Sequence, residues 1–182
     1  MKTPRSTPLR LIALLAGAGL LAHAPAARAD FDGPPKPRVD CSKPRNKSKP
    51  ECQKSYREMS DDEIYSAAYW MAREGRYQEA LAVLSGARSA TDKRILNATG
   101  YAMRKLGKVD EALVYYAKAL AIDPGYTKAR GYLGEAYLSK GDLAGAKRQL
   151  AEIATRCGET CDGYGELAAE IAAYESRKTR GG

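Results

Sequence analysis

Four cysteines are the most reactive side chains of this 182-residue chain, and they stand in two pairs. Cys157 and Cys161 enclose the short link CGETC, whereas Cys41 and Cys52 enclose a loop with four cations: Lys43, Arg45, Lys47 and Lys49. In an exported chain, which the N-terminal residues predict, four cysteines indicate two disulfide bonds. Nearness in sequence favours Cys41 with Cys52 and Cys157 with Cys161, while the longer-range connectivities stay open.

Zinc binding and thiol exchange are the alternative interpretations of these cysteines. A C-x10-C pair with a C-x3-C pair is not a usual combination of zinc ligands, and thiolates are oxidised outside the cytoplasm. CGETC also lacks the C-x-x-C spacing of thiol oxidoreductases. We therefore assign the cysteines to structural disulfides and expect no bound metal.

The remaining residues offer little for catalysis. His23 is the single histidine and lies in a segment expected to be removed, so the mature chain can form no Ser-His or Cys-His nucleophile pair. The sequence has no phosphate-binding glycine loop and no dinucleotide fingerprint. A carboxylate such as Glu135 has no paired acid at a suitable spacing. We expect no catalytic residue, no cofactor and no enzymatic activity.

The first 29 residues have the features of a signal peptide. Lys2, Arg5 and Arg10 precede an apolar run over residues 11–22, and ARA at 27–29 offers a small-x-small cleavage site. The run is short of the roughly 18 apolar residues that a membrane anchor needs, so no stable membrane insertion is expected after cleavage. Cleavage removes four cations and lowers the formal charge from +8 to +4, which argues against a nucleic-acid partner. The mature protein is expected to be periplasmic or secreted.

Three glycines mark an internal repeat: Gly75, Gly107 and Gly141 are spaced 32 and 34 residues apart. Helical periodicity on both sides of each glycine predicts all-α, antiparallel helix pairs stacked into a solenoid. The expected helices span 61–74, 77–88, 93–106, 109–121, 127–140 and 143–156, with a further helix over 164–177. Small residues recur where paired helices approach, and large ones recur four places later: Ala68, Gly100 and Gly134; Ala80, Ala112 and Ala146; then Leu84, Tyr116 and Leu150.

These columns resemble the tetratricopeptide repeat, which is matched best by Gly100, Gly107, Ala112, Tyr116, Ala119 and Pro124. The resemblance covers about residues 61–158 and implies three units over 61–92, 93–126 and 127–158. Arg130 and Ile153 depart from the pattern in the third unit. Around this domain of 60–158 we place the signal peptide at 1–29, a basic Pro/Lys-rich leader with a disulfide loop at 30–59, a capping helix at 159–178 and a tail at 179–182.

The resemblance further implies that the first helix of each pair lines a concave surface that holds a partner segment. The family's carboxylate clamp is echoed only in part, because Asn97 and Lys128 fall near its positions but Tyr65 and Tyr69 replace its Lys and Asn. Tyrosine gives contact area at low entropic cost and arginine binds carboxylates, so an acidic protein or peptide is the expected partner. The predicted partner-binding residues, besides an inward-facing Glu135, are Tyr65, Tyr69, Arg73, Arg94, Asn97, Tyr101, Arg104, Lys105 and Lys128.

The expected function is that of a non-enzymatic exported adaptor in envelope or secretion complex assembly. A solvated concave face with binding elsewhere is an alternative interpretation of the same residues. In a second alternative, the protein is a structural envelope component that its basic leader attaches to an anionic polymer or membrane surface.

Overall fold

The structure is a computed structural model, and it describes residues 33–36, 39, 44–49, 52 and 58–180. A short 3-10 helix, Pro44–Asn46, lies in the leader. Seven α-helices follow in the described residues: α1 (Asp61–Arg73), α2 (Tyr77–Leu84), α3 (Lys93–Lys105), α4 (Val109–Ile122), α5 (Thr127–Ser139), α6 (Leu143–Cys157) and α7 (Asp162–Arg180). They pack as the predicted all-α solenoid, and strands are absent from this described part of the chain.

The first six helices begin at the residues that the sequence predicts, because their starts are set by local signals. The capping box before α1 is confirmed: the Ser60 hydroxyl accepts from the Glu63 backbone N–H, and the Glu63 carboxylate accepts from the Ser60 N–H at 2.8 Å. Asp142 accepts from the Gly145 N–H at 2.7 Å and so caps α6.

The end of α2 differs from the prediction, since this helix stops at Leu84 instead of residue 88. The backbone N–H groups of Arg88 and Ser89 donate to the carboxylate of Asp61 at 2.9 and 3.0 Å. Asp61 lies at the start of α1, so this tertiary contact draws the chain out of the helical path. The predicted cap helix differs in the other direction: α7 starts two residues earlier and ends three residues later than expected.

Small and large residues interlock between the helices of each pair. A Cβ added to Gly100 of α3 would lie 2.7 Å from the Tyr116 ring, and Tyr116 of α4 is fully buried. In the third pair the corresponding residue, Gly134, receives Leu167 of α7 instead, at 2.6 Å from the added Cβ. The predicted columns are therefore packing positions, and α7 takes part in them as a further layer.

The three turn glycines share one backbone conformation. Gly75, Gly107 and Gly141 have φ angles of 79°, 81° and 80°, a left-handed region that side chains disfavour. Each of these glycines joins the two helices of one pair. The regular spacing in the sequence thus reflects one turn geometry used three times.

α7 packs against both α5 and α6. A disulfide bond joins Cys157 at the end of α6 to Cys161 just before α7. Lys147 and Glu175 form an ion pair of 2.6 Å between α6 and α7. These contacts fix the position of α7 over the third pair.

Several predictions fall on residues that the structure does not describe. Cys52 is disulfide-bonded, but Cys41 lies outside the described residues, as does the whole predicted signal peptide. Among the helices that are described, none combines the length and the apolar character needed to cross a bilayer.

Candidate functional site

A groove runs across the first helices of the three pairs and reaches α7. It encloses about 910 Å³, a volume that includes the open solvent at its mouth. The lining residues recur at helical spacings of three and four, so each helix presents one face: Tyr65, Tyr69, Ala72 and Arg73 from α1; Asn97, Ala98 and Tyr101 from α3; Lys128, Gly131, Tyr132 and Glu135 from α5; Gly163, Glu166 and Leu167 from α7.

Tyrosine rings form much of the groove surface. The ring centroids of Tyr65 and Tyr69 are 6.2 Å apart, and those of Tyr101 and Tyr132 are 5.0 Å apart. Burial raises the pKa of Tyr101 and of Tyr132, so their hydroxyls stay neutral at physiological pH. The groove therefore offers flat apolar faces that end in neutral hydrogen-bonding groups.

The charge of the groove is mixed rather than purely cationic. Lys128 Nζ lies 5.2 Å from the centroid of the Tyr69 ring, and Arg73 lies one turn beyond Tyr69 on α1. Glu135 follows Lys128 by seven residues, about 10 Å along α5, and Glu166 faces the groove from α7. A ligand would thus meet cations near Tyr69 and carboxylates farther along α5.

Asn97 lies at the floor of the groove and is 3% exposed. Its side-chain oxygen Oδ1 is buried and has no hydrogen-bond partner in the structure. A buried unsatisfied acceptor costs free energy unless a donor reaches it. The N–H of a partner inserted in the groove is a donor of the kind that this atom lacks.

Six of the nine predicted partner-binding residues line the groove: Tyr65, Tyr69, Arg73, Asn97, Tyr101 and Lys128. Arg94 does not line it, since its guanidinium pairs with Asp62 at 2.7 Å and with Asp92 at 2.6 Å. Lys105 is exposed beside the groove, with its Nζ 5.5 Å from the Tyr101 ring centroid. These two positions face inward less than the helical spacing indicates.

Arg104 is the clearest correction to the predicted site. Its side chain is 9% exposed, and Nη2 lies 2.6 Å from Oε2 of Glu135, whose side chain is 22% exposed. The guanidinium also lies within 6 Å of the ring centroids of Tyr101 and Tyr132. Arg104 therefore fixes Glu135 beneath the groove and is a packing residue, not a contact surface for a partner.

Tyr132 and Glu166 line the groove but are missing from the predicted residues. Tyr132 lies four positions after Lys128, so helical spacing alone could have identified it. Glu166 belongs to α7, which the sequence indicates only as a cover for the last repeat. Gly131 of α5 and Gly163 of α7 explain the contact: a Cβ added to Gly131 would lie 4.0 Å from the Gly163 carbonyl oxygen, so the two backbones come close.

Part of the leader lies against the outer rim of the groove. The Ser66 hydroxyl donates to the Pro35 carbonyl at 3.1 Å, and the Trp70 indole N–H donates to the Pro34 carbonyl at 3.1 Å. Gly33 abuts the Tyr69 ring, because an added Cβ would lie 2.5 Å from its hydroxyl oxygen. The sequence predicts this leader as a linker, so its packing on α1 is unexpected.

Fold and groove together define an α-helical solenoid with a concave inner surface. A family model described as tetratricopeptide repeat matches residues 103–156. The chain is also 31% identical over 112 residues to the TPR repeat-containing thioredoxin TTL4 of Arabidopsis thaliana, a match that covers 60% of this chain and 16% of that relative. The chain thus spans about a sixth of the length of this relative. These matches and the packing show that the helical region is built from tetratricopeptide repeats.

Solved structures show the same fold. The type III secretion translocator chaperone SycD of Yersinia enterocolitica superposes with a TM-score of 0.55 at 22% identity, covering 67% of this chain and 90% of that chain. PcrH of Pseudomonas aeruginosa, solved with the chaperone-binding region of PopD, gives a TM-score of 0.55 at 20% identity, covering 66% and 96%. The first TPR domain of human RPAP3 gives 0.55 at 19% identity, covering 64% and 93%.

Proposed function

We propose that the protein is a non-enzymatic adaptor that binds an extended segment of a partner protein in the groove formed by α1, α3, α5 and α7. The observation that carries the proposal is the groove itself: helix faces from all three pairs converge on one aromatic surface, with Asn97 Oδ1 unsatisfied at its floor. An extended peptide can cover such rings and supply the missing N–H.

The chemistry of the groove favours a segment of a particular kind. Ala72, Ala98 and Gly131 leave room between the tyrosines for a large apolar or aromatic side chain. Lys128 and Arg73 favour a carboxylate near Tyr69, while Glu135 and Glu166 disfavour one at the α7 side. The preferred partner segment is therefore aromatic, with its acidic residue toward Lys128.

Structural neighbours are consistent with this function. SycD has been solved with a peptide of the translocator YopD, at a TM-score of 0.53 and 21% identity to this chain, and PcrH with regions of PopD and PopB. Those proteins bind segments of partners through the same fold. At such low identity the likeness supports the mode of binding and does not extend to those partners.

We further propose that the adaptor acts outside the cytoplasm, in the periplasm or after secretion, in envelope or secretion complex assembly. The basis is the N-terminal signal peptide pattern and the four cysteines. Mass spectrometry of the protein recovered from a bacterial periplasm should show a chain that starts at Asp30. Retention of residues 1–29 would contradict the export proposal.

A pair of charge reversals tests the groove. Lys128→Glu replaces a groove cation, whereas Lys118→Glu makes the same change on α4, which supplies none of the lining residues. In a pull-down from envelope extract with a salt wash, the wild type and Lys118→Glu should retain one partner. Lys128→Glu should retain more than tenfold less, on the order of 1.4 kcal/mol of binding free energy. Equal retention by both variants would contradict binding in the groove.

The double variant Arg104→Glu, Lys105→Glu is a poor probe of the same question. It would place a new carboxylate beside the buried Glu135, so loss of binding would report damage to the fold. Lys128→Glu avoids this problem because Lys128 lies at the groove surface.

Attachment through the leader is the second candidate function. Arg45, Lys47 and Lys49 are all exposed around the 3-10 helix, where they could contact an anionic polymer or lipid surface. Ionic strength separates the two functions, because contacts of exposed charges weaken strongly with salt. Binding that disappears between low and moderate salt, and that Lys128→Glu leaves unchanged, would favour this candidate.

A further inference from the structure

We propose that residues 30–32 of the same chain, Asp30, Phe31 and Asp32, occupy the groove and compete there with the partner. The inference rests on the proposed function, because it concerns the same groove. It identifies a ligand within the chain itself and makes partner binding depend on displacement of the leader.

The first argument is where the described leader meets the groove. Gly33 abuts the ring of Tyr69, a lining residue, while Pro34 and Pro35 are held by Trp70 and Ser66. Lys36 adds a contact, with its Nζ 5.3 Å from the centroid of the Trp70 ring. The chain is therefore anchored on α1 with its N-terminal side at the groove.

The second argument is reach. An extended chain advances about 3.3 Å per residue, so residues 30–32 span about 10 Å from Gly33. Lys128 Nζ is 5.2 Å from the centroid of the ring against which Gly33 packs. Asp32 and Asp30 thus come within range of Lys128 and of Arg73 without any change in the anchored residues.

The third argument is chemical complementarity. The groove favours an aromatic side chain flanked by carboxylates, and the sequence DFD supplies this combination. Phe31 is the single phenylalanine of the chain. Its ring has an aromatic surface to pack on in Tyr65, Tyr69 and Tyr101.

Tethering makes such a weak ligand effective. A segment joined by a short linker experiences an effective concentration on the order of millimolar. A leader that fills the groove nine-tenths of the time would weaken the apparent affinity for a partner about tenfold, because only the remaining fraction is competent to bind. Partners would then need to be tight or present at high local concentration.

Fluorine NMR provides a direct test, since biosynthetic fluorophenylalanine labels Phe31 alone. In the exported wild-type chain we expect one resonance shifted from its position in the urea-denatured chain. The variant Ser66→Ala, Trp70→Phe removes both anchoring donors without changing a lining residue, and should move the resonance toward the denatured position. Ser85→Ala, a matched change at a hydroxyl that bonds locally to the Ala82 carbonyl, should leave it in place.

A binding measurement provides the second test. The probe is a fluorescein-labelled peptide with the sequence DFDGPPK, titrated against each chain. The Ser66→Ala, Trp70→Phe variant should bind it about tenfold more tightly than the wild type, and Asp30→Asn, Asp32→Asn should do the same. Equal affinities, or a Phe31 resonance that coincides with that of the denatured chain, would overturn the inference.

The two proposals fail separately. The fluorine measurement needs no partner, so a negative result would remove the leader from the groove and leave capture of a partner through Lys128 intact. Conversely, if neither the wild type nor Ser66→Ala, Trp70→Phe retained a partner after a salt wash, the adaptor function would fail and the Phe31 result would stand.

Discussion

At the residue scale, the Arg104–Glu135 pair is the main electrostatic feature beneath the groove. The two side chains are largely buried, and the charged groups are 2.6 Å apart. Burial raises the pKa of Glu135, and so do Glu170 and Glu166, whereas Arg104 lowers it. Removing one partner of such a pair leaves an uncompensated charge.

We predict that Arg104→Met destabilises the protein by about 3 kcal/mol, and that Arg104→Met, Glu135→Leu recovers most of the loss. Without Arg104, the remaining influences raise the pKa of Glu135 above its ordinary value of 4.5. The folded variant then binds more protons than the unfolded one, so its stability should fall as pH rises from 4.5 through the folded pKa. Urea unfolding across pH measures both effects; additive losses in the double variant would contradict the pairing.

At the element scale, helix starts are more predictable from sequence than the outline of the groove. The starts depend on caps and turn glycines within a few residues, and six of them match. The end of α2 depends on Asp61, 27 residues before Arg88, and no local pattern indicates that contact. Helical spacing likewise places Arg104 on an inner face, but its burial depends on how α5 brings Glu135 against it.

The turn glycines give a prediction at this scale. Nothing lies within 4 Å of a Cβ added to Gly107 or to Gly165, so alanine at either position tests the backbone alone. Gly107 has a φ of 81°, and Gly107→Ala should cost about 1–2 kcal/mol. Gly165 lies within α7, and Gly165→Ala should stabilise by about 0.5–1 kcal/mol. Thermal or chemical unfolding measures both, and a change of the same sign in the two variants would be the contradictory result.

At the scale of the whole molecule, α7 links the stability of the array to the shape of the groove. It covers Gly134 with Leu167 and also supplies Gly163, Glu166 and Leu167 to the lining. The Cys157–Cys161 bond holds its start against the end of α6. Loosening α7 should therefore affect binding as well as stability.

We predict that Cys157→Ser, Cys161→Ser lowers the free energy of unfolding by about 2 kcal/mol, the loop-closure value for so short a loop. Hydrogen exchange should become faster in α7 and stay unchanged in α1, and the affinity for a groove ligand should fall. Unchanged exchange in α7 would mean that its packing on α5 and α6 holds it without the bond. The pairing itself remains a prediction until peptide mapping under non-reducing conditions is done.

Photo-crosslinking in living cells tests binding in the groove most directly. A photoreactive amino acid at Glu166 lies on the rim of the groove, and one at Ala117 is equally exposed on α4, which supplies no lining residue. We predict one discrete adduct with a partner protein at position 166, lost when Lys128→Glu is added, and none at position 117. Adducts of equal yield at both positions, or an adduct at 117 alone, would contradict an adaptor that binds through this groove.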